Sequence, residues 1–203
     1  MKRTAAAALA NRAFIADALR DHLPRTGLVL ELGSGTGEHA LHLAATYPGL
    51  TFQPSDPDPE ARASIRAWSA EARLPNLLAP LDLDLLAPAW TARSADALLC
   101  LNVLHAAPPA CAEALWAGAV RVLPAGAPLA VHGPFTRGGA PMGERLRRID
   151  GKLRAYDPAL GVRDGDALVR AAARRGLALA ADLPMPEEGD RLLVFHRTAG
   201  APG

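Results

Sequence analysis

The residues best placed to do chemistry form the segment Glu31-Leu32-Gly33-Ser34-Gly35-Thr36-Gly37, at the end of an apolar run over residues 27–32. Its glycines alternate as G-x-G-x-G, not as the G-x-G-x-x-G of a dinucleotide fold. Glycine turns sharply and lets a ligand approach the main chain, and three in alternation cost stability unless something needs them. Asp56 stands 19 residues after Gly37, at the end of the apolar run 50–53 and its Pro54-Ser55 extension. A carboxylate there accepts both hydroxyls of a ribose. Because Asp56 precedes Pro57 it is extended, outside the following helix, whose cap is already supplied by Asp58. In Leu81-Asp82-Leu83-Asp84 the apolar residues alternate, so both aspartates point away from the core. Asp82 is then either a partner for an adenine amino group or part of a solvated edge.

Further along, Asn102-Val103-Leu104-His105 follows the apolar run 95–103. An imidazole there either takes a proton from an attacking hydroxyl or amine, or bonds a loop carbonyl. His39 and His42 share a helical face, but no third ligand accompanies them and no metal site is expected. Cys100 and Cys111 lack Cys-x-x-Cys spacing, so neither a disulfide nor a metal role is expected. Tyr156, Arg163 and Asp164 are candidates for an acceptor pocket, with helix capping the competing role for Asp164.

These residues need elements to hold them. Apolar periodicity predicts helices over 4–22, 37–46, 58–73, 109–123, 142–156 and 164–175. It predicts strands over 27–32, 50–53, 77–83, 95–103, 128–132, 177–183 and 191–196. Pro80 places the 77–83 strand at a sheet edge, since proline cannot donate to the ladder. Regular alternation through the first 132 residues means an α/β domain with a mainly parallel sheet. In such sheets ligands bind beyond the carboxyl ends of the strands, which is where the residues above fall. Residues 1–197 are expected to form a single domain and 198–203 a disordered tail.

Composition narrows the classes. The chain has 203 residues, a net charge of +1 and 50% hydrophobic residues. A chain of this size buries roughly 70% of its unfolded surface and needs no disulfide or metal staple. Balanced charge argues against an electrostatic nucleic-acid binder. No apolar run is long enough to span a membrane. Residues 1–10 imitate a signal peptide, but the apolar stretch stops at Asn11-Arg12 without a cleavage site, so a cytoplasmic protein is expected.

Taken together, these segments resemble class I S-adenosylmethionine (SAM) methyltransferases: a strand, Glu31-x-Gly33-x-Gly35-x-Gly37, then an acid after the second strand and another after the third. The match is closer to the methyltransferase-like protein 26 group. It is carried by Gly33-Ser34-Gly35-Thr36-Gly37-Glu38-His39, Gln53-Pro54-Ser55-Asp56-Pro57-Asp58, Pro80-Leu81-Asp82-Leu83-Asp84, Asn102-x-x-His105, Gly133-Pro134-Phe135 and Gly161-Val162-Arg163-Asp164. The resemblance implies a Rossmann-like, mainly parallel seven-stranded sheet with helices on both faces. It implies that Glu31 and the loop Gly33, Ser34, Gly35, Thr36, Gly37 hold the methionine part of SAM, Asp56 the ribose, and Asp82 with Leu83 the adenine end. Asn102 would face the methionine moiety or the substrate. Arg12 would either pair with the SAM carboxylate or lie on the surface. Two segments depart from the group: Met142-Gly143-Glu144-Arg145, and Glu187-Glu188-Gly189-Asp190.

The expectation is therefore a SAM-dependent methyltransferase acting on a small-molecule acceptor by direct methyl transfer, with His105 as the candidate base. The alternative is a SAM-binding regulator or partner without transferase activity. The glycine spacing argues against an NAD-dependent oxidoreductase. The lack of an Asn/Asp-Pro-Pro-aromatic motif argues against a nucleic-acid methyltransferase.

Overall fold

The computed structural model describes residues 1–140 and 142–200. Their elements run α1 (Ala6–Leu19), β1 (Gly27–Leu32), α2 (Glu38–Thr46), β2 (Leu50–Ser55), α3 (Pro59–Ala72), β3 (Ala97–Leu101), α4 (Ala110–Val122), β4 (Pro128–Thr136), α5 (Glu144–Tyr156), β5 (Arg163–Asp164), α6 (Gly165–Arg174), β6 (Leu177–Pro184) and β7 (Asp190–Arg197). The seven-stranded sheet has the order β2-β1-β3-β4-β7-β6, with β5 paired to β4. β1, β2, β3, β4 and β5 pair in parallel, and only β7 with its neighbours β4 and β6 is antiparallel.

The central strands are apolar throughout because both their faces are covered. Successive residues point to opposite faces. Leu30, Leu98, Leu129 and Phe195 pack with Trp116 of α4 and Leu168 of α6. Val29, Leu99, Ala130 and Val194 pack with Ile15 and Leu19 of α1 and Leu43 of α2.

Local chemistry sets the helix starts. Asp58 caps α3 by accepting from the Glu60 N–H, with Pro59 in the first turn. Asp164 caps α6, accepting from the N–H groups of Asp166 and Ala167.

The expected strand over 77–83 is not a full strand. Leu77 and Leu81 make isolated parallel bridges to Phe52 and Ser55, beside β2. Pro80 supplies no N–H, and the ladder breaks around it. β3 is shorter than the expected 95–103, because Asn102 turns into the left-handed region at φ 60. β4 runs four residues past the expected end at 132, since β5 and β7 continue to pair with it through Pro134, Phe135 and Thr136. In the expected tail, the Thr198 N–H donates to the Gly176 carbonyl at 2.8 Å, and residues 201–203 lie outside the described residues. No helix among the described residues is long and apolar enough to cross a membrane.

Candidate functional site

The carboxyl ends of β1, β2, β3 and β4 meet at one rim. The glycine loop leaves β1 there, with Gly33, Gly35 and Gly37 all at positive φ. A Cβ on Gly33 would lie 2.8 Å from Val103 Cγ2, so the loop can pass the end of β3 only with glycine at that position. A Cβ on Gly35 would meet nothing within 4 Å, so the tip of the loop is open.

Backbone and side-chain hydrogen bonds pin this loop. The Ser34 N–H donates to the Ser55 carbonyl at 2.8 Å, and the Gly35 N–H to Asp56 Oδ2 at 2.8 Å. Ser64 Oγ donates to the Thr36 carbonyl at 2.9 Å. The Ala5 N–H and the Thr36 hydroxyl both donate to Glu38 Oε2, which ties the start of the chain to the loop.

Glu31 lies beneath the loop, 1% exposed, with Oε2 unpartnered. Burial, reinforced by the nearby Asp56 carboxylate, pushes its pKa up to about 7. Asp56 is buried, and its second oxygen accepts from the Asp58 N–H at 2.9 Å. Asp82 is exposed, and Arg62 reaches it at 2.9 Å. The same guanidinium donates to the carbonyls of Asp56 and Pro57 at 2.8 Å each, bridging the second and third acidic positions. The Leu83 side chain belongs to the core, 4% exposed, so only its backbone is available to a ligand.

A cavity of about 370 Å³ opens beyond β3, with Asn11, Asn102, His105, Arg145, Glu187 and Asp190 in its walls. Asn102 is held from both ends: its N–H donates to the His132 carbonyl at 2.9 Å, and its Oδ1 accepts from His132 Nδ1 at 3.0 Å. Asn is among the non-glycine residues that enter the left-handed region most readily, which suits it to this turn. Asn11 Oδ1 likewise accepts from His39 Nε2 at 2.8 Å. Both amides thus keep their N–H donors for the cavity.

His105 lines the same space, with Nδ1 buried and unpartnered. Burial lowers its pKa to about 4; the Asp190 carboxylate opposes this and the Arg163 and Arg145 cations add to it. It is therefore neutral at pH 7 and holds a free lone pair.

Arg12 does not line this cavity; it lies beside His39 and His42 and lowers the pKa of both. The residue before it does. Asn11 sits on the buried stripe Ala8, Asn11, Ile15, Leu19, and one step along a helix rotates a side chain about 100°. Tyr156 is 88% exposed and stands away from the cavity. Arg163 donates to the carbonyls of Leu104 and Ala107 at 3.0 and 2.7 Å, shaping the loop that carries His105. Among the described residues no His, Cys, Asp and Glu cluster has metal-holding geometry. Sequence reasoning missed Arg62, His132, Arg145 and Asp190. His132 and Asn11 had a readable signal, since each is a polar residue in an apolar periodic stripe. Arg62 had none, while Arg145 and Asp190 fall in the two segments that depart from the group.

A family model described as "Protein of unknown function (DUF938)" matches residues 2–197. Among solved structures, the chain is similar to the mitomycin 7-O-methyltransferase MmcR: TM-score 0.83, 16% identity, over 95% of this chain and 54% of that one. It is similar to CalO1, a methyltransferase in calicheamicin biosynthesis, in its SAH-bound form: TM-score 0.76, 20% identity, over 95% and 54%. A putative sarcosine dimethylglycine methyltransferase from Galdieria sulphuraria matches with TM-score 0.73 and 15% identity, over 95% and 87%. The chain spans about half the length of the first two. These likenesses show the Rossmann-like methyltransferase fold.

Proposed function

We propose, for a chain that belongs to the DUF938 family, a SAM-dependent methyltransferase that acts on a small-molecule acceptor by direct methyl transfer, with one cofactor-binding domain over residues 1–197. Within that reading the chain is placed in the methyltransferase-like protein 26 group. The observation that carries it is the orphaned Glu31 carboxylate beneath an open glycine loop. A buried carboxylate oxygen without a partner is costly, and a ligand ammonium relieves it. SAM fits this donor set: its ammonium to Glu31, its carboxylate to the N–H groups of Asn11 and Asn102, its ribose hydroxyls to Asp56, its adenine edge to Asp82 and the Leu83 backbone.

When bound, the cofactor supplies a methyl group on a sulfonium sulfur, an electrophile with a good leaving group. The chain's part is alignment and exclusion of water, and alignment can supply about 7–11 kcal/mol of a barrier. His105, neutral and facing the cavity, takes the proton of an acceptor hydroxyl or amine.

A second reading is a SAM-binding protein without transferase activity. It draws on the two departing segments, which meet in the cavity wall, where Arg145 engages Glu187 at 3.2 Å and Asp190 at 2.8 Å. Turnover of SAM to S-adenosylhomocysteine (SAH) in cell extract separates the two.

Calorimetry tests the cofactor. SAM and SAH are expected to bind in the micromolar range and NAD not at all. An ammonium beside Glu31 lowers its pKa from about 7, so binding near pH 7 releases a fraction of a proton. The measured enthalpy should then vary with the buffer's ionisation enthalpy, and Glu31→Gln should remove that variation. Binding of NAD with SAM ignored would reject the reading.

A further inference from the structure

The cavity has two walls of opposite hydrogen-bonding sense. Toward α1 and β3, Asn11 and Asn102 present N–H donors, because their amide oxygens are held by His39 and His132. Toward α5 and β7 the groups are acceptors. Arg145 is the single cation lining the cavity among the described residues, and its donors are engaged. Nε reaches Glu187 at 3.2 Å, Nη1 reaches Asp190 Oδ1 at 2.8 Å and the Glu188 carbonyl at 2.7 Å, and Nη2 reaches Asp190 Oδ2 at 3.3 Å. Two carboxylates, Glu187 and Asp190, against one guanidinium leave this wall with net charge −1.

The histidines do not change that sign. His105 and His132 have pKa values of about 4 and about 3, and both are neutral at pH 7. His132 is fully buried and donates from Nδ1 to Asn102, so its Nε2 carries a lone pair. Nε2 has no partner and faces Asp190 Oδ2 at 3.8 Å. Two acceptors thus stand face to face behind the cavity wall. The rest of the lining, Ala7, Ala10, Pro134 and Ile149, is suited to hydrocarbon.

Resting on the methyl-transfer reading above, we propose that the wall formed by Asp190, Glu187 and His105, with His132 behind it, is an acceptor subsite that selects a neutral or cationic molecule donating hydrogen bonds, an amine above all, and turns away carboxylates and phosphates. The amine is the handle by which the molecule is held. An anion at this wall would meet unneutralised carboxylate charge and no unengaged cation, and with SAH bound the Asn11 and Asn102 donors opposite are taken by its carboxylate.

Benzylamine and benzoate, matched in size and opposite in charge, are the probes, titrated by calorimetry into the protein with and without saturating SAH. Benzylamine is expected to bind at least tenfold more tightly than benzoate. Asp190→Asn should cut benzylamine affinity about tenfold or more, the loss expected for a charge-assisted hydrogen bond. Asp190 is buried and Asn there frees Arg145, so Glu187→Gln, on a half-exposed side chain, is run beside it and should also narrow the preference for the amine. Equal response to the two probes, including none to either, or a preference for benzoate, overturns the subsite. Loss of SAH binding with the amine preference intact rejects the methyl-transfer reading and leaves the subsite standing.

Discussion

Asp56 shows how one carboxylate holds the loop and, in the proposed reading, would also hold a ribose. Its oxygens accept from the Gly35 and Asp58 N–H groups at 2.8 and 2.9 Å, and Arg62 engages its carbonyl. Asp56→Ala is expected to lower SAM affinity about 10- to 150-fold, from a loss of about 1.5–3 kcal/mol. The geometry adds that the ligand-free protein also melts earlier, because two backbone donors lose their acceptor. A melting curve and a SAM titration of the same variant check both; an unchanged affinity rejects the ribose role. His105 makes a different demand. With its pKa at about 4, it is already deprotonated across the neutral range. Turnover limited by this base should therefore be flat from pH 6 to 9 in the free enzyme and fall only toward pH 4. His105→Ala should lower turnover about 10²-fold with SAM binding retained. Full turnover in the variant would make the histidine structural.

At the scale of elements, α4 and the connection leading into β3 meet in a contact that leaves no room. Gly118 faces Trp90, and a Cβ added there would lie 2.1 Å from the indole. Trp90 is 7% exposed and packed against the same cluster as Trp116 and Leu115. Gly118→Ala raises helix propensity by up to about 1 kcal/mol. Overpacking costs about 1–3 kcal/mol and should win, because the whole buried ring would have to shift to admit the methyl group. Chemical denaturation is expected to show a net loss of stability, and a gain would mean that the indole moves freely. The rim is built by elements too: β3 stops at Asn102, β4 continues past it, and the cavity occupies the step between them.

The whole molecule carries its acid sensitivity in buried histidines. His39 and His105 have pKa values of about 4, and His132 of about 3, in each case chiefly because burial disfavours the charged ring. Unfolded, each takes a proton near pH 6.5. Between pH 6.5 and about 4 the unfolded state therefore binds more protons than the fold. The contribution of these residues is fully present above pH 6.5 and is lost as pH falls toward about 4. Glu31 runs the other way: raised to about 7, it favours the fold below about 4.5, and that contribution is lost as pH rises to 7. Three groups against one decide the sign, each net proton contributing about 1.4 kcal/mol per pH unit. The thermal midpoint is expected to drop steadily from pH 6.5 to 4.5, and His39→Gln, which keeps a donor for Asn11, should flatten the slope. A midpoint constant over that range would show that the histidines titrate normally.

By itself the sequence determined what depends on near neighbours. Alternating glycines make a loop of positive φ, Asp58 with Pro59 starts a helix, Asp164 caps another, and apolar runs between helices make a mainly parallel sheet. Each of these is set by conformational preferences and burial patterns within a few residues, and the methyltransferase fold follows from their order. Only the tertiary structure decided the walls of the site. Arg145 and Asp190 are 45 residues apart in the chain, and Asn102 and His132 are 30 apart. Spacing encodes local shape but not which distant side chains share a cavity. The same reason explains Arg12: Asn11 and Arg12 are adjacent, and the packing of α1 on the sheet decided which of them faced the cavity.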